Sequence, residues 1–176
     1  MSEPLVVLFV PGVTPGKWSR IWAERMPRRP LELTPASADD ARAALRAGSA
    51  HMAFMRDVTA DDEFHVIPLY REQPVVVAAR DSLVGALESV TLADLADEHR
   101  VEGEDAATIE LVATGTAVAI MPQSVARARS RRDVVARPVT DAPDSGIGLI
   151  WRVDAEHPLI DTFIGIVRGR TANSSR

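Results

Sequence analysis

The sequence predicts an α/β protein in which strands and helices alternate along the chain. Short apolar runs rich in valine and isoleucine alternate along the chain with segments that have helical spacing. Turns that contain proline or glycine lie between the apolar runs and the helical segments. The 176 residues are 46% hydrophobic and 26% charged, which is an ordinary globular composition. The chain contains no cysteine, so disulfides, iron–sulfur clusters and a thiol nucleophile are excluded.

The first 55 residues carry the clearest pattern. Residues 5–10 form a continuous apolar run, which is typical of a strand buried on both faces. Thr14 and Pro15 are suited to the N-cap and first position of the next helix, where Trp18 and Trp22 lie on one face. Two more strands are predicted at residues 31–33 and 51–55, with a helix from Ser37 to Gly48 between them. This order predicts right-handed crossovers and a parallel sheet.

The remainder of the chain continues the alternation. Further strands are predicted at residues 66–70, 75–79, 117–121, 134–139 and 147–151. Helices are predicted at residues 91–96, 108–114 and 159–167, and another begins at Pro122. The polar tail from Arg168 to Arg176 is expected to fray.

The charge balance bears on partners. Twenty basic residues against 25 acidic ones give a net charge of −5 and a pI near 5.4. Because a compact DNA-binding domain usually has a basic face, nucleic acid is not the expected partner. The apolar run at residues 5–10 is too short for a signal peptide or a membrane span, so the chain is expected to be soluble and cytoplasmic.

Several stretches, taken in order, resemble the effector-binding domain of LysR-type transcriptional regulators. They cover residues 9–18 (FVPGVTPGKW), 45–54, 65–70 with 73–77, 90–95, 109–115 with 119–122, and 163–170. The resemblance implies a type 2 periplasmic-binding-protein fold, in which two α/β lobes joined by two crossing strands hold a small ligand between them. It places the first lobe at residues 1–73 plus 145–176 and the second at 74–144, with crossings near residues 73–77 and 139–147.

The sequence departs from this family in two places. The first strand begins at Leu5, so the family's winged helix-turn-helix and linker helix are expected to be absent. The stretch from Ala96 to Thr108 is too short for the strand and helix that the family places there, because a βαβ unit needs about 30 residues. We therefore expect a shortened second lobe.

The turn at residues 13–17 is the strongest candidate for ligand binding. A glycine-containing turn that leads into a helix directs free backbone N–H groups outward, and the helix dipole favours an anion there. Val13 and Pro15 shape the turn, the Thr14 hydroxyl could donate, and Lys17 adds a charge. The resemblance supports binding, because matching positions in the family line the effector cleft. A simple helix cap explains the same residues equally well.

Two further residues complete the predicted site. Arg56 directly follows a strand, at the carboxyl end where parallel sheets place ligands, and its planar guanidinium suits a carboxylate. It could instead pair with Asp57 or Asp61 on the surface. Thr108 opens a helix of the other lobe and could face the first turn, although an ordinary N-cap is the simpler interpretation. Residues 122–124 begin another helix with exposed donors and are a weaker candidate.

Catalysis has little support in the sequence. The four histidines are scattered without metal-ligand spacing, and no nucleophile elbow, phosphate loop or dinucleotide fingerprint occurs. No cofactor or metal is expected.

The leading hypothesis is a stand-alone effector-binding domain that captures a small carboxylate unchanged, without contacting nucleic acid or membrane. Closure about the crossing strands would make binding a conformational signal. A homodimer is expected, with candidate interfaces around Trp18–Trp22 or Leu159–Val167. The alternatives are a ligand-sequestering or resistance protein, a modulator that forms mixed dimers with a full-length regulator, and a dehydratase-like enzyme.

Overall fold

The computed structural model describes residues 3–169. The elements in chain order are β1 (Leu5–Phe9), α1 (Gly16–Arg25), β2 (Leu31–Pro35), α2 (Ala38–Ala47), β3 (Met52–Arg56), β4 (Phe64–Glu72), β5 (Pro74–Ala79), α3 (Leu83–Ala86), α4 (Ala106–Ala113), β6 (Ala119–Pro122), α5 (Gln123–Ala128), β7 (Val134–Pro138), β8 (Ser145–Arg152) and α6 (Ile160–Val167). The chain divides into two compact units. Within the described range, unit 1 comprises residues 3–69 and 147–169, and unit 2 comprises residues 70–146.

Unit 1 is built on a five-stranded sheet with the order β2-β1-β3-β8-β4. β1 runs parallel to both β2 and β3, and α1 and α2 form the connections between them. The predicted parallel arrangement of the first three strands is therefore confirmed. β8 enters the sheet antiparallel to β3. Because parallel strands end at the same edge of a sheet, Phe9 and Arg56 bring the segments that follow them to one edge of unit 1.

The core of unit 1 uses the aromatic residues of α1. The Trp18 ring stacks on Phe54, with centroids 4.6 Å apart and planes 8° apart, and Trp22 contacts Phe163 of α6 at 5.8 Å. Both tryptophans are buried. The expectation that Trp18–Trp22 forms an exposed interface is wrong, because residues four apart on α1 face the sheet and α6.

The apolar face of α6 is also inside unit 1. Leu159, Ile160, Phe163 and Ile166 are buried in the same core, so the second candidate interface, Leu159–Val167, is wrong for these residues. Only Ile164 and Val167 remain partly accessible at the edge of that core. The apolar periodicity of the helix correctly predicted that one face is buried. This face packs against the chain's own sheet and not against a second subunit.

Unit 2 contains a three-stranded sheet with the order β6-β5-β7, in which β5 is antiparallel to both neighbours. Every residue of β5 is buried because both faces of the sheet are covered. Val75 and Val77 face a cluster with α4 and α5, whereas Val76 and Ala78 face a second cluster that includes Val84 of α3. The alternation of side chains along a strand thus produces two small cores from one apolar run.

The helix boundaries show which of the predicted helix starts and ends are correct. Ser37 caps α2 as predicted, since its hydroxyl accepts the Asp40 N–H, and Gly48 ends the helix in the left-handed region. α4 begins at Ala106 with Asp105 as its N-cap, two residues before the predicted start. The helix predicted at residues 91–96 is a single 3₁₀ turn, Ala93–Leu95.

The segment between that turn and α4 contains neither a helix nor a named strand. Arg100 makes an isolated parallel bridge with Val118, and the Val118 N–H donates to the His99 carbonyl at 2.9 Å. The ten residues 96–105 therefore add one bridge to the sheet of unit 2 and no crossover helix.

Candidate ligand-binding site

The first turn of unit 1 is set by a glycine. The Val13 N–H donates to the Val10 carbonyl at 3.2 Å, and Gly12 between them has a φ of 87°. A φ in this region favours glycine because other residues meet a steric penalty. The side chain of Val13 is buried and its N–H is already used. Val13 therefore shapes the turn and offers no donor.

α1 begins one residue later than predicted, and Thr14 is not its N-cap. Pro15 occupies the cap position, and its carbonyl accepts from the Trp18 N–H at 3.0 Å and the Ser19 N–H at 3.1 Å. No side chain caps this helix, because proline has no side-chain acceptor. The expected N-cap role of Thr14 is thus wrong, although Thr14 is exposed beside the helix start.

The start of α1 has donors that its own helix does not satisfy. The first N–H groups of any helix lack intrahelical partners, and here they belong to Gly16 and Lys17, both exposed. The helix dipole adds partial positive charge at this end. The Lys17 ammonium lies 4.6 Å from the centroid of the Trp18 ring. Backbone donors, a hydroxyl and an ammonium therefore belong to neighbouring exposed residues of one turn, Thr14, Gly16 and Lys17.

Arg56 reaches this turn. It is the last residue of β3, and its guanidinium Nη2 donates to the Pro11 carbonyl at 3.1 Å. The Val10 N–H also donates to the carbonyl of Phe54, which lies two residues before Arg56 in β3. The end of β1 is therefore hydrogen bonded to β3 close to Arg56. The structure therefore brings Arg56 to the same turn as Thr14 and Lys17.

Asp57 follows Arg56 with a φ of 49° and is the one non-glycine residue in positions 3–169 with a positive φ. Such a conformation costs free energy and is often found at functional sites. The sequence offered only a weak signal for it, an aspartate directly after a strand. Asp57 and the Pro11 carbonyl are the parts of this edge that the sequence did not reveal.

Thr108 lies in unit 2, in the first turn of α4. Its backbone N–H and its hydroxyl both contact Asp105 Oδ1 at 2.8 Å, and the residue is 8% exposed. These two hydrogen bonds are the main reason why the pKa of the Asp105 carboxyl is lowered. Thr108 therefore does not open the helix as expected, and its hydroxyl already has a partner.

Nothing in the described part of the chain indicates a metal centre or a membrane helix. Residues 3–169 contain no group of three or more histidine, cysteine or acidic side chains that could hold a metal ion. No helix in the same range is long and apolar enough to cross a membrane.

Two α/β units, the first of which places a guanidinium at the carboxyl edge of its parallel strands, define a two-unit α/β fold. The family model described as "LysR substrate binding domain" matches residues 16–105 and 103–172. The chain belongs to this family, and its fold is the type 2 periplasmic-binding-protein-like fold of these domains. A comparison with curated proteins finds no match.

Solved structures agree on the fold. The BenM effector-binding domain with its effector benzoate has a TM-score of 0.80 at 16% identity, over 96% of this chain and 92% of that chain. The OxyR regulatory domain from Pseudomonas aeruginosa, in a mutant form, scores 0.75 at 19% identity over 96% of both chains. Full-length CbnR in complex with its target DNA scores 0.75 at 21% identity, over 95% of this chain and 70% of that chain.

Proposed function

We propose that this domain binds a small organic anion at the first turn of unit 1 and releases it unchanged. One observation carries the proposal: α1 starts without a side-chain cap, directly beside a guanidinium that hydrogen bonds the same turn. Backbone donors at a helix start favour an anion, and the planar guanidinium favours a carboxylate. The BenM domain of the same fold has benzoate as its effector, which is a carboxylate.

Each residue has a separate role in this proposal. The N–H groups of Gly16 and Lys17 hold one anionic oxygen, the Thr14 hydroxyl donates a further hydrogen bond, and Arg56 neutralises the charge. Pro15 leaves the helix start without a competing side-chain acceptor. The ligand-binding role of Thr108 stays a prediction from the sequence, and its hydroxyl bonds Asp105 within unit 2.

Binding without chemistry is the function that these groups support. A helix start, a hydroxyl and two cations are groups that stabilise an anion. The family to which the chain belongs is defined by effector binding. We propose that the domain acts in the cytoplasm, where a change in its conformational equilibrium on binding is the signal.

Thermal-shift and calorimetric titration with benzoate and a panel of aromatic and aliphatic carboxylates test the proposal. We expect at least one carboxylate to raise the melting temperature and to be recovered unchanged by mass spectrometry. Thr14→Val and Arg56→Ala should weaken it, Arg56→Ala by about tenfold or more, because a charge-assisted hydrogen bond contributes about 1.5–3 kcal/mol. Arg20→Ala is the matched control, since Arg20 is exposed on the same helix. Full affinity in both site variants, or recovery of a converted product, would contradict the proposal.

Self-association is a separate part of the proposal. We propose that the domain forms a homodimer and that it can exchange subunits with a full-length regulator of its family. Light scattering after size exclusion measures the first, and co-purification with such a regulator measures the second. A monomer across the accessible concentration range would reject the homodimer, and failure to co-purify would reject the mixed dimer.

A further inference from the structure

Two histidines meet at the other end of the parallel strands in unit 1, away from the first turn. His51 directly precedes β3, and His157 lies between β8 and α6. Their ring centroids are 4.2 Å apart and the ring planes are tilted by 46°. The sequence placed these residues 106 positions apart and gave no sign that they touch.

Each ring accepts a hydrogen bond from the backbone of a different element. The Val6 N–H of β1 donates to His51 Nδ1 at 3.0 Å, and the Leu159 N–H at the start of α6 donates to His157 Nδ1 at 3.3 Å. An imidazole nitrogen accepts only through a free lone pair. Both histidines must therefore be neutral, with the ring proton on Nε2, to make these bonds.

Protonation removes both acceptors. An imidazolium carries a proton on each nitrogen, so a charged His51 cannot accept the Val6 N–H and a charged His157 cannot accept the Leu159 N–H. Two imidazolium rings at this separation would also repel each other. The pKa of His51 is lowered, first by burial and then by the positive charge that His157 can carry, while Glu3 acts in the opposite direction.

The charged groups around the pair come from every neighbouring element. They line an open cavity of about 350 Å³ and comprise Glu3 before β1, Arg46 from α2, Arg152 and Asp154 at the end of β8, and Glu156 before α6. Arg46 is held by Glu63 and Arg152 by Asp154, each through two hydrogen bonds. The three acidic groups favour a protonated pair, whereas the two arginines oppose it and are themselves paired with carboxylates.

We propose that the His51–His157 pair is a proton-sensitive switch whose neutral rings hold the Val6 and Leu159 N–H groups and release these two groups on acidification, while β1 stays paired with β2 and β3. Because the pKa of folded His51 lies below its ordinary value of 6.5, the stabilisation is complete above about pH 6.5. It is lost as the pH falls below that value, when the unfolded chain binds protons that the folded chain resists.

Amide hydrogen exchange followed by NMR tests this inference on the whole chain. In the wild type, the protection factors of the Val6 and Leu159 amides should fall about fivefold between pH 7.5 and pH 5, because each amide loses its hydrogen bond to an imidazole. The matched variants are His51→Asn and His157→Asn, since the asparagine Oδ1 can accept at the same position and does not titrate. Each variant should keep its own amide protected at pH 5.

His99→Asn is the control, because His99 is exposed, and it should leave the acid response intact. Wild-type protection that is equal at the two pH values would overturn the proposal, as would an equal acid loss in the asparagine variants. Ring-proton titration of the wild type gives a second measurement that does not depend on variant folding. It should show a His51 midpoint below the ordinary value of 6.5, and a midpoint at or above 6.5 would reject the switch.

Discussion

The edge that we propose as a binding site depends on how single residues are held. Arg56 stands opposite Ile147 in the register of β3 and β8, and its guanidinium is directed by the Pro11 carbonyl. Gly12 lets the chain turn so that this carbonyl faces β3. The side chain that recognises charge is therefore positioned by a backbone atom 45 residues away in sequence.

Glycines show the same dependence on surroundings. A Cβ on Gly85 would lie 2.5 Å from the Ala79 carbonyl oxygen and 2.7 Å from that of Arg80, so the backbone of α3 packs directly on the end of β5. Gly85→Ala should destabilise unit 2 by about 1–3 kcal/mol, the usual cost of overpacking. Urea denaturation followed by circular dichroism measures the change.

Gly165 provides the matched control. A Cβ there meets no atom within 4 Å, and the residue lies inside α6. Gly165→Ala should raise the free energy of unfolding by about 0.5–1 kcal/mol, because alanine loses less backbone entropy in a helix. Equal effects of the two substitutions would show that the close approach at Gly85 does not determine its cost.

At the scale of elements, carboxylates at the starts of a helix and a strand accept the first backbone N–H groups of these elements. Asp105 Oδ1 accepts the Thr108 N–H, and this hydrogen bond is the largest cause that lowers the pKa of Asp105. Asp61 has a similar role before β4, where it accepts from the Glu63 and Phe64 amides and its pKa is lowered. A carboxyl whose folded pKa is lowered stabilises the fold above its unfolded value and loses this effect as the pH falls through the folded one.

This linkage predicts how an Asp105→Asn variant behaves. Asparagine caps helices about as well as aspartate, so stability at pH 7 should change little. Because asparagine does not titrate, the variant should lose less stability than the wild type between pH 5 and pH 3. Urea titrations at these pH values provide the measurement, and Asp97→Asn, an exposed acid in the same unit, is the control. An unchanged acid slope in Asp105→Asn would contradict the argument.

Ser37→Ala isolates the cap itself. The Ser37 hydroxyl accepts the Asp40 N–H at 3.1 Å and donates to Asp40 Oδ2 at 2.7 Å. We expect the substitution to lower the free energy of unfolding by about 1 kcal/mol at pH 7, because one N–H at the start of α2 loses its partner. Ser37→Asp should retain most of the stability, which separates loss of the cap from loss of any other serine contact.

Elements were predictable from the sequence where the signal is local. The run at residues 5–10 and the Ser37 and Gly48 caps depend on neighbours within a few positions, and the structure has them. Thr14 failed as a cap because the chain ahead of Pro15 makes the Val10–Val13 turn. α3 was missed because four residues carry no helical period. The Arg56–Pro11 and His51–His157 contacts depend on sheet register, which the sequence does not show.

The whole molecule combines two units of different construction. Unit 1 needs two separate stretches of chain, since β8 and α6 return to it after unit 2, whereas unit 2 is one continuous stretch. Counting charged side chains in the sequence, unit 1 has equal numbers of basic and acidic residues, and the excess of acidic residues over the whole chain lies in unit 2. Unit 2 can therefore fold without a strand or helix from unit 1. Repulsion among its excess acidic side chains opposes that folding.

A fragment of residues 70–146 should consequently fold alone. Its central strand β5 builds a core on each face, and no residue of either core comes from unit 1. The free energy of unfolding of so small a domain is marginal, so we expect cooperative urea unfolding with a stability below that of the whole chain. Added salt should raise this stability, because it screens the acidic charge. Val76→Asp buries a charge in one core and should abolish folding. Dispersed amide NMR signals that collapse in the variant support independent folding, whereas a disordered wild-type fragment in high salt would show that unit 2 needs unit 1.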